Sequence, residues 1–416
     1  MALSRRNEDA LAVLRIKDFR SFISARFLLT FGIQMQSVVV GWQVYEITKD
    51  VLSLGMIGLA EAIPFMISAV FSGYVADRFD RQRIMTISVV VYLIGAIMLL
   101  AFSLGYHSLL QLFGAMPLYL VVVLTGTSRA FFYPAQLALM AHLVPRRLYA
   151  NSSTWNSTIW HIAAVAGPAA GGLVYGFAGK QWAYAVVVVF VVASLVLFNA
   201  IKKYPSNHSL KGEPVLKNLS TGVKFVFGNQ VILGSLSLDM FAVLFGGAVA
   251  MLPVFASDVL FTGPQGLGFL RAAPAFGAVI MAIIIAYRPP LKKAGVYLFS
   301  TVSLFGLFII LFALSKNFYL SLVFLMLSGM ADNISVIIRA TIIQTMTPDP
   351  MRGRVAAVNS IFIGSSNEIG SFESGVAAKL MGLVPSVIFG GMMTVFITGT
   401  MATSLPKLRN LDLSEK

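Results

Sequence analysis

Long apolar runs, broken at short intervals by charged or turn-forming clusters, set the pattern of this chain. A helix crossing a bilayer core of about 30 Å needs roughly 20 mostly apolar residues at a rise of about 1.5 Å each. The runs between polar breaks predict helices near 20–47, 52–76, 84–106, 115–142, 153–178 and 181–201. A second set is predicted near 230–257, 264–287, 294–314, 318–346, 353–379 and 384–405. The expected fold class is an all-α integral membrane protein with 12 transmembrane helices in two six-helix halves. The halves are expected at 1–201 and 230–416, joined by a polar cytoplasmic linker at 202–229 that carries Pro205, Gly212 and Pro214.

Composition agrees with that pattern. Hydrophobic residues make up 57% of the 416 positions and charged residues 12%, about half the charged share of a soluble domain. The absence of cysteine excludes disulfides, thiol catalysis and cysteine-based metal sites. Arg5, Arg6, Arg15, Lys17 and Arg20 precede the first long apolar run, so the first span is expected to act as the insertion signal in place of a cleaved leader.

The net charge of +14 would suggest nucleic-acid binding in a soluble protein, but its placement makes it a topology signal. With the N-terminus inside, cytoplasmic segments collect 23 of the 31 Lys and Arg residues, against four (Lys49, Lys180, Lys316, Lys379) on the other side. Both termini are therefore expected in the cytoplasm. Arg26, Arg129, Arg271 and Arg339 fall inside predicted spans.

An internal repeat appears at a constant shift of 203 residues, pairing Pro145 with Pro348, Asn156 with Asn359, Gly167 with Gly370 and Gly172 with Gly375. Two parallel six-helix copies put a solute site between them near mid-membrane.

The loop after the second span reads Gly73-Tyr-Val-Ala-Asp77-Arg78-Phe-Asp80-Arg81-Gln82-Arg83. Gly73 permits close helix contact, Asp77 suits the positive N-terminal end of a neighbouring helix, and Arg78, Arg81 and Arg83 suit carboxylates or backbone carbonyls. This segment resembles motif A of the major facilitator superfamily. The resemblance implies that the neighbour is helix 11, starting near Gly353. The corresponding loop of the second half, Tyr287 to Lys293, keeps charge but lacks the Gly and Asp, so one latch is implied. In the fifth span, Ala163-Ala-Val-Ala-Gly167-Pro168-Ala-Ala-Gly171-Gly172 is similar to motif C, with Ala163 in place of the first Gly. Small residues at this spacing let helices approach backbone to backbone, and proline bends the helix. A generic packing face would read the same way. In the superfamily that motif is associated with antiporters and exporters. Phe19-Arg20 with Ala25-Arg26-Phe27, and Thr347-Pro348 with Met351-Arg352-Gly353-Arg354, resemble the enterobactin-exporter-like and drug-efflux branch.

Charged groups at bilayer depth cost about 2.5–3.5 kcal/mol each on insertion scales, so each needs a partner, a wet cavity or a purpose. The resemblance implies that helices 1, 4, 7 and 10 face the solute path, which puts Arg26, Gln34, Arg129, Asp239, Asp332 and Arg339 along it. Arg129 and Asp332 share the 203-residue shift, and we expect them to attract across the cavity in one state. Asp239 and Asp332 suit either proton coupling or a fixed ion pair with arginine. Glu61, Arg271, Glu368 and Glu373 are expected to form an interdomain charge cluster, with Arg271 bridging to Glu368 and Glu61 nearby. His161 reads as a packing residue. Gln36, Gln43 and Asn333 suit polar solute groups or interhelical bonds, and Phe131, Phe132 and Tyr133, with Trp42 and Tyr45, suit an aromatic solute, while interfacial anchoring explains Trp42 and Tyr45 as well.

No phosphate loop, His-Glu metal motif or nucleophile elbow is present. We therefore expect no catalytic residue, no metal and no cofactor. The expected function is secondary active transport, with proton-coupled export of a small organic solute (siderophore or drug-like) by alternating access. The alternatives are a lysophospholipid flippase, a nutrient uptake carrier or a non-transporting sensor of the same fold. The expected partners are the solute, protons and the lipid bilayer, without nucleic acid. A monomer in the bacterial cytoplasmic (inner) membrane is expected.

Overall fold

A computed structural model describes residues 11–104, 107–202, 215–287 and 292–414, apart from the side chains of residues 70, 73, 74, 76, 77, 107–109, 215–219 and 350. Twelve long helices account for most of them. They are α1 Lys17–Thr48, α2 Val51–Arg78, α3 Arg81–Leu104, α4 Met116–Leu143, α5 Tyr149–Ala178 and α6 Lys180–Asn199, followed by α7 Gln230–Gly246, α8 Gly263–Tyr287, α9 Ala294–Leu314, α10 Phe318–Met346, α11 Arg352–Met381 and α12 Leu383–Ser404. Among the described residues, eleven spans are long and apolar enough to cross a membrane. Helix α11 is as long as the others at 30 residues. It carries Asn359, Asn367, Glu368, Glu373 and Lys379 along its length, and it packs against α2, α7 and α12. Protein covers much of the polar surface that lipid would not tolerate.

The repeat seen in the sequence reappears in the helix bounds. Helices α5 and α11 start and end 203 residues apart, and each closes on a glycine with positive φ, Gly179 at 89° and Gly382 at 90°. An L side chain would be strained at either turn. The starts of α7 and α10 are capped by Asn229 and Asn317, whose side-chain oxygens each accept two backbone N–H groups of the first turn.

Two expectations change. The span predicted at 230–257 breaks after Gly246-Gly247 into a 3-10 turn Ala248–Met251, a short helix Leu252–Val254 and a π-turn Phe255–Val259. Two successive glycines and the missing N–H of Pro253 weaken the regular ladder there. Part of the polar linker is also an amphipathic helix, Val215–Gly228, whose Gly222 seats on the Arg354 backbone.

Helices α1 to α6 pack among themselves, as do α7 to α12. The first group is centred on Phe19, Phe22, Tyr184 and Phe198, all fully buried. Between the groups, α2 lies along α11 and α5 along α8. The end of the bundle holding Arg81, Arg146, Arg147 and Arg352 is called the basic end below, and the other the far end.

Candidate functional site

Glycines set how closely the two groups approach. A methyl added at Gly172 of α5 would meet Gly268 Cα of α8 at 2.7 Å, and one at Gly375 of α11 would meet Gly55 Cα of α2 at 2.8 Å. The two helix crossings are thus built alike, with Gly172 and Gly375 203 positions apart and Gly55 and Gly268 213 positions apart. Neighbouring glycines do the same work inside each group. A methyl at Gly167 would meet the Phe31 carbonyl of α1 at 3.0 Å, and one at Gly370 the Leu244 carbonyl of α7 at 2.9 Å. The Gly167-Pro168-x-x-Gly171-Gly172 segment is a two-sided packing stripe. Gly167 and Gly171 admit α1 at Gln34 and Met35, while Pro168 and Gly172 admit α8. Gln34 therefore has its Cβ against Gly167, within the α1–α5 contact.

At mid-depth the charged groups sort into three arrangements. In the first, Arg129 of α4 bridges Glu61 of α2 at 2.6 Å and Glu368 of α11 at 3.0 Å. The Phe65 ring lies 4.8 Å from the guanidinium carbon, a cation–π distance. Gly126, one turn before Arg129, lets α2 approach, since a methyl there would meet the Glu61 carbonyl at 3.0 Å. Arg271 of α8 donates to Ser37 Oγ at 2.9 Å and lies in the field of both carboxylates. This corrects one expectation: the bridging cation is Arg129, not Arg271. Arg129 and Asp332, expected to attract in one state, are not bonded to each other here, where Arg129 holds Glu61 and Glu368. Helix geometry also separates Glu373 from Glu368, because five residues turn an α-helix by about 500°, placing them roughly 140° apart. Glu373 has no hydrogen bond or ion pair among the described residues.

In the second arrangement, Arg339 of α10 forms an ion pair with Asp239 of α7, both nearly sealed from solvent. Asp332 lies two turns before Arg339 on α10, within electrostatic range of both groups and bonded to neither. One arginine thus faces two carboxylates. Such a pair is costly to break, because removing one partner strands the other charge.

The third is Arg26 of α1. It is 6% exposed, and its one hydrogen bond among the described residues goes to the Asn156 carbonyl oxygen at 3.4 Å. Tyr133 is near enough to interact electrostatically. Of the other aromatics, Phe132 is buried edge-on against Phe198 and belongs to the core, and Tyr133 is half exposed. The His161 ring meets Trp160 edge to face, at 79° between planes.

The far end is tied across the two groups. Tyr45 donates to Asp258, and Lys379 Nζ bonds Asp50 at 2.7 Å. The lysine bond, ahead of every other influence, holds the Asp50 carboxyl below the usual carboxylate range. At the basic end, Arg81 lies against the His142 ring, so it serves the first group internally. Arg83 lies in the first turn of α3, with its backbone N–H held by Asp80 at 2.9 Å, and Arg78 is exposed. The side chains of Gly73 and Asp77 lie outside the described residues.

With this geometry in view, the comparisons fall into place. The profile of the transmembrane secretion effector family matches residues 8–416. The chain belongs to that family, a branch of the major facilitator superfamily. It is similar to the enterobactin exporter EntS of Escherichia coli (strain K12), at 24% identity over 94% of this chain and 92% of that protein. EntS of Shigella dysenteriae serotype 1 gives the same figures. A POT family transporter crystallised with 5-aminolevulinic acid shares the fold at a TM-score of 0.74 and 12% identity, covering 94% of this chain and 96% of that one. A D-xylose–proton symporter does so at 0.71 and 16%, covering 95% and 99%. This secretion effector is a multi-pass membrane transporter, not an enzyme.

The sequence reading missed Asp50, Asp258, Ser37 and Phe65. Asp50 sits one residue from Lys49 in a tight turn and drew no notice, because its partner Lys379 is remote in the chain. Of the two roles open to Gln43, a solute contact or an interhelical bond, the structure shows the second: it accepts from the Tyr184 hydroxyl at 2.5 Å inside the first group.

Proposed function

We propose that this transporter exports a small organic solute, siderophore or drug-like, across a bacterial cytoplasmic membrane in exchange for protons, with both termini in the cytoplasm. The halves 1–201 and 230–416 rock about the paired glycine crossings. The observation that carries the coupling is the second arrangement, in which Arg339 is committed to Asp239 and Asp332 is left over. One positive charge against two negative ones leaves an excess charge at bilayer depth, and a bound proton restores neutrality there. The Arg129 cluster, with two arginines for two carboxylates, is already balanced. It acts as a fixed tie between α2 and α11 that the halves must rework as they rock. The far-end ties close the exit, and Gly73, Asp77, Arg78, Arg81 and Arg83 act at the basic end. Similarity to proteins named as enterobactin exporters supports the direction and the size of the solute.

The test is transport in proteoliposomes, with enterobactin and a panel of drugs as solutes and an imposed pH gradient as the driving force. The wild-type chain should accumulate at least one solute against its gradient. Asp332→Asn should remove the response to the pH gradient while keeping solute exchange. Gradient-driven accumulation that survives Asp332→Asn would refute the coupling role.

A further inference from the structure

We propose that Arg26 is an anion-binding subsite of the transport path, taking a carboxylate, sulfonate or phenolate group carried on an aromatic solute. The inference rests on the transporter reading and deepens it.

Among the intramembrane arginines, Arg26 differs in what surrounds it. Arg129 has two carboxylates and Arg339 has one within bonding distance. Arg271 lies in the field of Glu61 and Glu368 and bonds Ser37. Arg26 has a single long contact to a backbone carbonyl and no carboxylate among the described residues. A mostly buried guanidinium with five N–H donors and one acceptor retains most of its capacity for an incoming anion.

The repeat shows what is missing. Asp239 stands nine residues into α7, and Arg26 stands nine residues into α1. In the second group the α7 charge is neutralised by Arg339 of α10. The position 203 residues before Arg339 is Gln136 of α4, a neutral residue. The fold thus pairs the charge on one side and leaves it open on the other. A counter-ion from outside the chain completes the pattern.

The surroundings suit an aromatic anion. Tyr133, 51% exposed, lies within electrostatic range of Arg26, and Trp160, 45% exposed, stands one turn along α5 from Asn156. An aromatic body against Tyr133 and Trp160 puts its anionic group at Arg26, where a charge-assisted, bidentate contact forms.

The experiment uses the purified full-length chain and two probes of one shape, 1-naphthoate and 1-naphthamide, with binding read from quenching of tryptophan fluorescence. We expect naphthoate to bind about tenfold more tightly than naphthamide, the effect of one retained charge-assisted contact. Arg26→Gln should remove that preference and leave naphthamide binding unchanged, and Arg26→Lys should restore most of it. If Arg26→Gln fails to fold, Tyr133→Glu compared with Tyr133→Gln serves instead. The glutamate places a carboxylate beside Arg26 and should weaken naphthoate selectively. Equal affinity for both probes, no naphthoate binding, or naphthoate binding untouched by these variants would each overturn the inference. Those outcomes leave the transporter reading standing as long as the pH-driven assay succeeds. A wild-type chain that moves no solute removes that reading whatever naphthoate does.

Discussion

The α2–α11 and α5–α8 interfaces occupy matching places in the two-group bundle, yet they are held differently. Each has a glycine pair at its crossing, Gly55–Gly375 and Gly172–Gly268, with backbones close enough that a methyl group would intrude. The α2–α11 interface adds charge: the Arg129 bridge between Glu61 and Glu368, with the Asp50–Lys379 bond at the far end. The α5–α8 interface relies on its small residues, with Arg271 reaching across to Ser37 of α1. Close packing without charge gives a pivot whose strength is independent of protonation. Ion pairs give a contact that can be released and remade. The same fold thus assigns bearing and latch to opposite sides of the molecule.

Placing a large side chain at either glycine crossing should cost the most. Gly172→Leu and Gly375→Leu each force two backbones apart and should lower stability by about 3 kcal/mol. Thermal unfolding of the purified chain measures this, and similar losses at the two sites are expected if the crossings are equivalent. A large loss at one and none at the other would break the symmetry argued here.

Next comes Arg129→Gln, which strands two carboxylates. The side chain of Arg129 is 36% exposed, so solvent screens part of the cost and a loss of about 2 kcal/mol is expected. Adding Glu368→Gln to it should recover part of that loss. No recovery would mean that the bridge is not a charge contact.

The far-end pair should matter less for stability and more for state. Lys379→Met removes an exposed ion pair, at a cost under about 1 kcal/mol. It should nevertheless increase labelling of a cysteine placed at residue 257, beside the Tyr45–Asp258 bond and not part of it, by a membrane-impermeant reagent. Unchanged labelling would show that the tie does not close this end.

The smallest effect is that of pH on the same tie. The Asp50 carboxyl is held below its usual range in the folded chain. Its contribution is therefore complete above the ordinary carboxylate pKa and is lost only as pH falls through the lowered value. Labelling at the far end, taken relative to that of the same cysteine in the unfolded chain at each pH so that thiol ionisation cancels, should stay flat between about pH 8 and pH 5 and rise only in stronger acid. A rise centred near neutral pH would point to another group.

Much of the fold was readable from the chain, because hydrophobic periodicity and the 203-residue repeat are local signals. Predicted helix 318–346 and observed Phe318–Met346 coincide. The break at Gly246-Gly247 escaped, since apolar residues continue through it and hydropathy does not register lost backbone regularity. At the site, the sequence named the charged residues but not their partners. Arg129, Glu61 and Glu368 come from three helices, and depth along the membrane leaves rotation about each helix axis undetermined. Arg271 shares that depth, which is why it seemed the natural bridge. Arg26 stood out as a charge in a span, but its lack of a carboxylate emerges only when its neighbours are placed.

The most direct test of alternating access uses the cysteine-free chain, which accepts paired spin labels without background. One pair replaces Tyr149 and Tyr287 at the basic end of α5–α8, and another replaces Phe177 and Phe261 at its far end, all exposed positions. Distances measured across a range of pH, with and without the transported solute, should change in opposite senses at the two ends, one opening as the other closes. Distances that stay fixed at both ends, or that open together, would contradict the account.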